Sequence, residues 1–209
     1  MKLLVFVCSC QKNHWKVEKQ RVWLTNLLPP YLVFAGDPSQ EEEYRYSPPF
    51  LSIRHPDYYE RMPGKLIKAM RFVADWEFDC LLKVDDDVLL HTERINHLEL
   101  NVDYAGVVRE PTGVCRTWHH GKVHDPVLNK MPFGKVVRHQ YCGGGIGYFL
   151  SRRAFEMFLG HADPAEADSW IFEDVYVGHV LGQSGIPATP VDMESLVIKD
   201  WVPAKQCPS

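Results

Sequence analysis

Cys80-Leu81-Leu82-Lys83-Val84-Asp85-Asp86-Asp87-Val88 is the stretch on which the fold turns. Cys80–Val84 reads as a short strand buried on both faces of a sheet. Three acids follow at once. Open α/β sheets gather their ligands at the carboxyl ends of parallel strands, so an acidic cluster in that place reads as a cation site. Adjacent carboxylates repel unless a cation or hydrogen bonds compensate. In extended chain residues i and i+2 point to the same side, so Asp85 and Asp87 are expected to face one ion while Asp86 faces elsewhere. Hard oxygen ligands suit Mg2+ or Mn2+, which commonly bridge a few carboxylates and substrate phosphates. A solvated acidic turn is the plain alternative.

Upstream of this stretch, Leu3–Val7 is a second continuous apolar run, expected as a buried first strand. A helix is expected from about residue 14 to 28, stopped by Pro29-Pro30, and Tyr31–Ala35 reads as the next strand. Residues 39–49 are polar and read as a loop, with Leu51–Ile53 a short strand after it. From about Tyr58 to Trp76 the apolar positions Leu66, Ala69, Met70 and Val73 recur at helical spacing. Downstream, 111–140 has little periodicity and many His, Arg, Lys, Gly and Pro, the mark of a functional or mobile loop. Ile146–Leu150 reads as a strand, Arg152–Leu159 as a helix, Glu173–Leu181 as a helix and Ile186–Val191 as a strand. Short apolar runs alternating with helices predict an α/β fold with a mainly parallel central sheet flanked by helices.

The chain has 209 residues, 45% apolar and 24% charged, the balance of a globular protein. That length fits a single domain spanning 1–209, or one domain of a longer chain. The formal charge of −4 argues against a nucleic-acid partner. No run approaches the roughly 20 apolar residues of a membrane span, and the N-terminal apolar stretch lacks a signal-peptide cleavage site. The expected location is therefore cytoplasmic. Six cysteines, at 8, 10, 80, 115, 142 and 207, fit no zinc pattern and are read as reduced thiols.

Two further segments carry chemistry. Gly143-Gly144-Gly145-Ile146-Gly147 matches no phosphate-binding spacing. It suggests either close approach of the backbone to a ligand or another segment, or a plain turn. Glu173-Asp174 opens a helix, where carboxylates are favoured by the dipole; the functional alternative is a general base facing a hydroxyl. His119, His120, His124 and His139 fit no standard ligand spacing.

The order of these landmarks resembles the β1,3-galactosyltransferase-like family, which includes N-acetylglucosaminyl- and fringe-type enzymes of GT-A fold. Arg21-Val22-Trp23 echoes the family's early Arg-x-x-Trp, and Tyr59–Lys65 resembles its Tyr-x-Asn-Leu-x-x-Lys helix. Leu82-Lys83-Val84-Asp85-Asp86-Asp87-Val88 is similar to its metal strand. Tyr141–Ser151 matches its glycine motif with one extra residue, and Glu173-Asp174-Val175 its Glu-Asp-Val motif. Typical members carry an N-terminal anchor and stem; this chain starts at the first strand, as an anchorless bacterial or large-DNA-virus member would. Many also have a late metal-binding His, where this sequence reads Ile198-Lys199-Asp200-Trp201, so the third ligand is open.

The resemblance implies a metal-dependent glycosyltransferase that moves a sugar from a nucleotide diphosphate donor, a UDP-sugar foremost, to a hydroxyl of a glycan or glycoprotein. Asp87 and Asp85 would hold Mn2+ or Mg2+, and Asp86 or Asp85 would meet the ribose. Lys65 and Arg21 would contact phosphate, Ser9 would border the nucleoside, and Gly143, Gly144 and Gly145 would approach the sugar. The loop 111–140 would close over the acceptor. Asp174, with Glu173 beside it, would act as the base of an inverting reaction. The alternatives are a metal-dependent nucleotidyltransferase and an inactive module that binds nucleotide sugars or glycans.

Overall fold

The computed structural model describes residues 1–13, 15–17 and 23–198. Its centre is an eight-stranded sheet with β5 (Cys80–Asp85) in the interior. β5 pairs in parallel with β1 (Leu3–Cys8), and β1 with β2 (Tyr31–Gly36). β2 runs parallel to β4 (Phe50–Ile53), and the antiparallel edge strand β3 (Tyr44–Ser47) closes that side. On the other side β9 (Tyr148–Ser151) is antiparallel to both β5 and β6 (Tyr104–Gly106), and β10 (Thr189–Pro190) runs parallel to β6. A separate two-stranded ribbon joins β7 (Val108–Arg109) to β8 (Tyr141–Cys142).

The chain leaves β1 in one direction, through β2 to β4, and returns on the opposite side as β5. The crevice between the C-terminal ends of β1 and β5 is thus the switch point where open α/β sheets bind ligands. Ser9 and Asp86 stand there, one residue past the paired Cys8 and Asp85.

Both strands are buried on both faces, and their period of two divides the core. Leu4, Phe6, Cys8 and Leu81 pack on one side of the sheet; Leu3, Val5, Val7, Cys80, Leu82 and Val84 pack on the other. The first side is covered by α1 (Met62–Phe72), α3 (Arg152–His161) and α5 (Glu173–Gln183), which pack on one another. Two further short helices are α2 (Thr92–Asn96) and α4 (Pro164–Ala167). The architecture is the mixed α/β, mainly parallel, helix-flanked sheet expected for a GT-A-like domain.

Several boundaries shift. The helix expected from Tyr58 begins as a tight 3-10 turn at Tyr59–Arg61, and the α-helix proper starts at Met62 with Pro63 in its first turn. The last expected strand is only Thr189–Pro190. The expected loop 39–49 contains β3, whose Tyr44–Tyr46 alternation is masked by polar neighbours. The helix expected near residue 14 falls partly on residues outside the description; residues 15–17 and 23–24 are helical. Cys8, Cys10, Cys80 and Cys142 are free, but Cys115 takes part in a disulfide, so the expected set of reduced thiols does not hold. Among the described residues no helix is long and apolar enough to cross a membrane.

Residues 111–140, expected as a loop, form an irregular lobe with two 3-10 turns, anchored by a few buried side chains. Val114, His119, Val123 and Phe133 are buried, and Phe133 packs on Phe172 just before α5. His119 directs Nε2 at the carbonyls of Leu128 and Met131, each 2.9 Å away. The buried Glu60 carboxylate accepts hydrogen bonds from the backbone N–H groups of His124 and Asp125, tying the lobe to the turn before α1.

Candidate active site

β5 ends at Asp85, and Asp86-Asp87 forms a turn in which the Val88 N–H donates to the Asp85 carbonyl. The extended-chain argument that puts Asp85 and Asp87 on one side therefore stops at Asp85. Asp85 turns toward Lys83, 2.6 Å from its ammonium. Asp86 and Asp87 share another cation, with Lys16 Nζ at 3.5 and 3.7 Å. Asp86 is buried and accepts a 2.9 Å hydrogen bond from Ser9 Oγ, so the acid expected at the ribose locks the end of β1 to that of β5. Asp85 and Asp87 remain about a third exposed, at 32% and 35%. Burial, then the neighbouring Asp85 charge, raises the Asp87 pKa above the usual carboxylate value.

Lys83 is the residue that the apolar pattern conceals. It follows Leu81 at an interval of two, so its side chain enters the face covered by α5. A fully buried ammonium needs partners, and Lys83, 1% exposed, has Asp85 on one side and Glu173 on the other. Desolvation pulls its pKa down, but the two carboxylates win and hold it well above the ordinary lysine value. Glu173 also accepts a 2.8 Å hydrogen bond from the Tyr148 hydroxyl. Burial drives its carboxyl up to about 7 against the pull of Lys83. Glu173 is thus a buried counter-charge rather than a helix cap.

Asp174 points the other way. Its Oδ2 accepts from the Gly144 N–H at 2.8 Å and its Oδ1 from the Val175 N–H at 2.8 Å. Burial raises its pKa despite the Gly144 hydrogen bond, the direction that suits a general base.

The glycine turn is shaped by close approach. A Cβ on Gly144 would lie 2.7 Å from Glu173 Oε1 and 3.1 Å from Asp174 Cβ. Gly147 adopts φ +118°, and a Cβ there would lie 2.3 Å from the Lys83 carbonyl oxygen. Gly143 donates to the Val107 carbonyl, whereas Gly145 faces open space. Gly144 and Gly147 therefore let another protein segment come near, and Gly145 is the member of the turn open to a ligand.

Lys65, expected at a phosphate, lies beneath the crevice. Its ammonium donates to the Ser9 carbonyl at 2.6 Å and to Asp57 Oδ1 at 2.7 Å, and only 4% of the side chain is exposed. Asp57 in turn accepts from the backbone N–H groups of Gln11 and Gly36. This strut stiffens the loop after β1. Lys16 is the cation beside the open acids, and neither it nor Asp57 stands out in the sequence. Arg21 and Asp200 lie outside the described residues.

Among the described residues no group of three or more His, Cys, Asp or Glu side chains is arranged around a common ion position. Residues 39–192 match the protein-family model described as Galactosyltransferase, a span that includes the strand-end acids, the glycine turn and Glu173-Asp174. A search of curated proteins returns no match.

Proposed function

We propose, from the premise that the chain belongs to the galactosyltransferase family and is a glycosyltransferase, that it transfers a sugar from a UDP-sugar to a glycan hydroxyl with a divalent cation. The observation that carries this reading is the junction at Lys83, which joins the strand-end acid Asp85 to Glu173, the neighbour of Asp174. Donor-side and acceptor-side carboxylates thereby meet across one buried ammonium.

The donor set fits a cation held jointly with substrate. Mg2+ and its like usually take one or two carboxylates and fill the remaining positions with water and phosphate oxygens. Asp85 and Asp87 are the two partly open carboxylates and would hold Mn2+ or Mg2+, whose chemistry here is neutralisation of the diphosphate leaving group. Lys16, beside Asp86 and Asp87, adds positive charge on the same side, where charge develops as the sugar bond breaks. Ser9, fixed by Asp86 and Lys65, borders the nucleoside. Asp174 takes the proton of the attacking acceptor hydroxyl. The Gly144 hydrogen bond holds its carboxylate in place, and burial raises its basicity. Gly145 leaves room for the sugar.

A thermal-shift panel of UDP-, GDP- and CMP-sugars with and without Mn2+, followed by UDP-release assays, tests the proposal. Selective, Mn2+-dependent stabilisation by UDP-sugars is expected, together with loss of turnover in Asp87→Ala. Full turnover by Asp87→Ala in EDTA would overturn the metal assignment, and stabilisation by another nucleotide class would overturn the donor.

A further inference from the structure

Beyond the base, the glycine turn borders the side chain of Arg109. Arg109 on β7 is paired in register with Tyr141 on β8. Its side chain runs alongside Gly143, where a Cβ would lie 3.5 Å from the arginine Nε and 3.7 Å from its Cγ. The adjoining Gly144 donates to Asp174. The buried Tyr141 hydroxyl feels both groups: after burial, Asp174 raises its pKa and Arg109 lowers it. Arg109 thus stands within electrostatic reach of the same phenol as the candidate base.

Arg109 is exposed, and its side chain makes neither a hydrogen bond nor an ion pair among the described residues. Two other basic groups of the same segment are engaged within the lobe. Arg116 donates to the carbonyls of Phe133 and Lys135, and Lys135 lies over the Trp170 ring. The segment 108–139 carries six Lys and Arg against two acids in a chain of net charge −4. The segment is therefore basic within an acidic chain. The cation beside the donor carboxylates is a different residue, Lys16.

We infer that Arg109 is a specificity-determining residue that binds an anionic substituent (carboxylate, sulfate or phosphate) of the acceptor sugar whose hydroxyl faces Asp174. The inference rests on the transferase reading for its meaning but concerns recognition rather than turnover. A guanidinium offers a planar fork of donors that matches such oxyanions in pairs. An exposed arginine can do this without disturbing the fold around it.

Matched probes test it: methyl β-glucuronide against methyl β-glucoside, and galactose 6-sulfate and galactose 6-phosphate against galactose. Saturation-transfer NMR reads their binding without donor, and UDP release reads turnover with UDP-galactose and UDP-glucose. The wild type is expected to favour at least one anionic probe over its neutral parent by about tenfold to a hundredfold. In Arg109→Ala that ratio should fall toward one, while Arg109→Lys keeps part of it and the UDP affinity stays the same. No anionic preference in the wild type, or a preference that persists in Arg109→Ala, would overturn the inference. A weakened UDP affinity in Arg109→Ala would also overturn it, by moving the residue to the donor. An Arg109-dependent preference without any UDP release would uphold anion recognition and count against the transferase reading alone.

Discussion

Replacing Lys83 by methionine keeps most of the unbranched apolar side chain and removes the ammonium with its hydrogen bonds to Asp85 and Glu173. What remains in the interior is Glu173, 5% exposed, with Asp85 and Asp174 nearby and no cation among them. Removing one member of a buried pair costs about 3–5 kcal/mol because the other is stranded. The cost depends on pH, and its sign follows from Glu173. That carboxyl sits at about 7 in the folded protein, above its ordinary 4.5, even with Lys83 present. A carboxyl raised in this way binds its proton better folded than unfolded. The stability it contributes is full below 4.5 and is lost as pH rises through about 7. Without Lys83 the folded value climbs further and the window of loss extends upward. At pH 5 Glu173 can protonate and the penalty is small; at pH 8 it must stay charged or take up a proton at a cost. For a chain of this size each kcal/mol moves Tm by about 2–4 °C, so Lys83→Met should lose about 6–20 °C at pH 8 and clearly less at pH 5. Urea unfolding and calorimetry at both pH values measure this, with Lys83→Met/Glu173→Gln expected to recover much of the loss at pH 8. A loss below about 1 kcal/mol at pH 8, or equal losses at the two pH values, would refute the account.

Other expectations follow from the same site. Asp174→Asn keeps an oxygen for the Gly144 N–H but cannot take a proton, so UDP release with acceptor should fall about a hundredfold or more while UDP affinity holds; unchanged turnover would remove Asp174 as the base. Gly147→Ala places a Cβ against the Lys83 carbonyl at positive φ, and chemical denaturation should show a loss of at least about 1–3 kcal/mol. Ser9→Ala removes a hydrogen bond from the buried Asp86 carboxylate, which Lys16 still faces, costing about 1–3 kcal/mol; a loss of UDP-sugar affinity in isothermal titration should accompany it if the β1 end borders the donor.

The frame of the site was legible because it is written in short-range patterns. The apolar run Cys80–Val84 declares a buried strand, the acids after it mark its functional end, and Glu173-Asp174 is recognisable by its place in the order of motifs. What escaped depends on contacts distant in sequence. Asp57 meets Lys65 and Gln11, and Lys16 meets Asp86 and Asp87, only once the sheet has assembled. Lys83 did carry a signal: a lysine within a strand buried on both faces demands an acid partner, and Glu173 is the acid that α5 delivers. β6 is three residues long and β3 is polar at an edge, so neither offered a periodicity to read. The segment 111–140 looked like open loop because its buried residues follow no fixed interval.

The Glu60 tether has a consequence for how substrates are met. Glu60 grips the backbone at His124 and Asp125 from the turn that begins α1, and the same helix carries Lys65 under the β1 end. The lobe and the Lys65 strut are thereby joined through one helix. Under the proposed function, such anchoring lowers the cost of ordering the segment when substrate binds. Changes of length confined to 126–138 would reshape what the lobe presents. A change at 123–125 would instead disturb the Glu60 tether and, through α1, the Lys65 contact with Ser9.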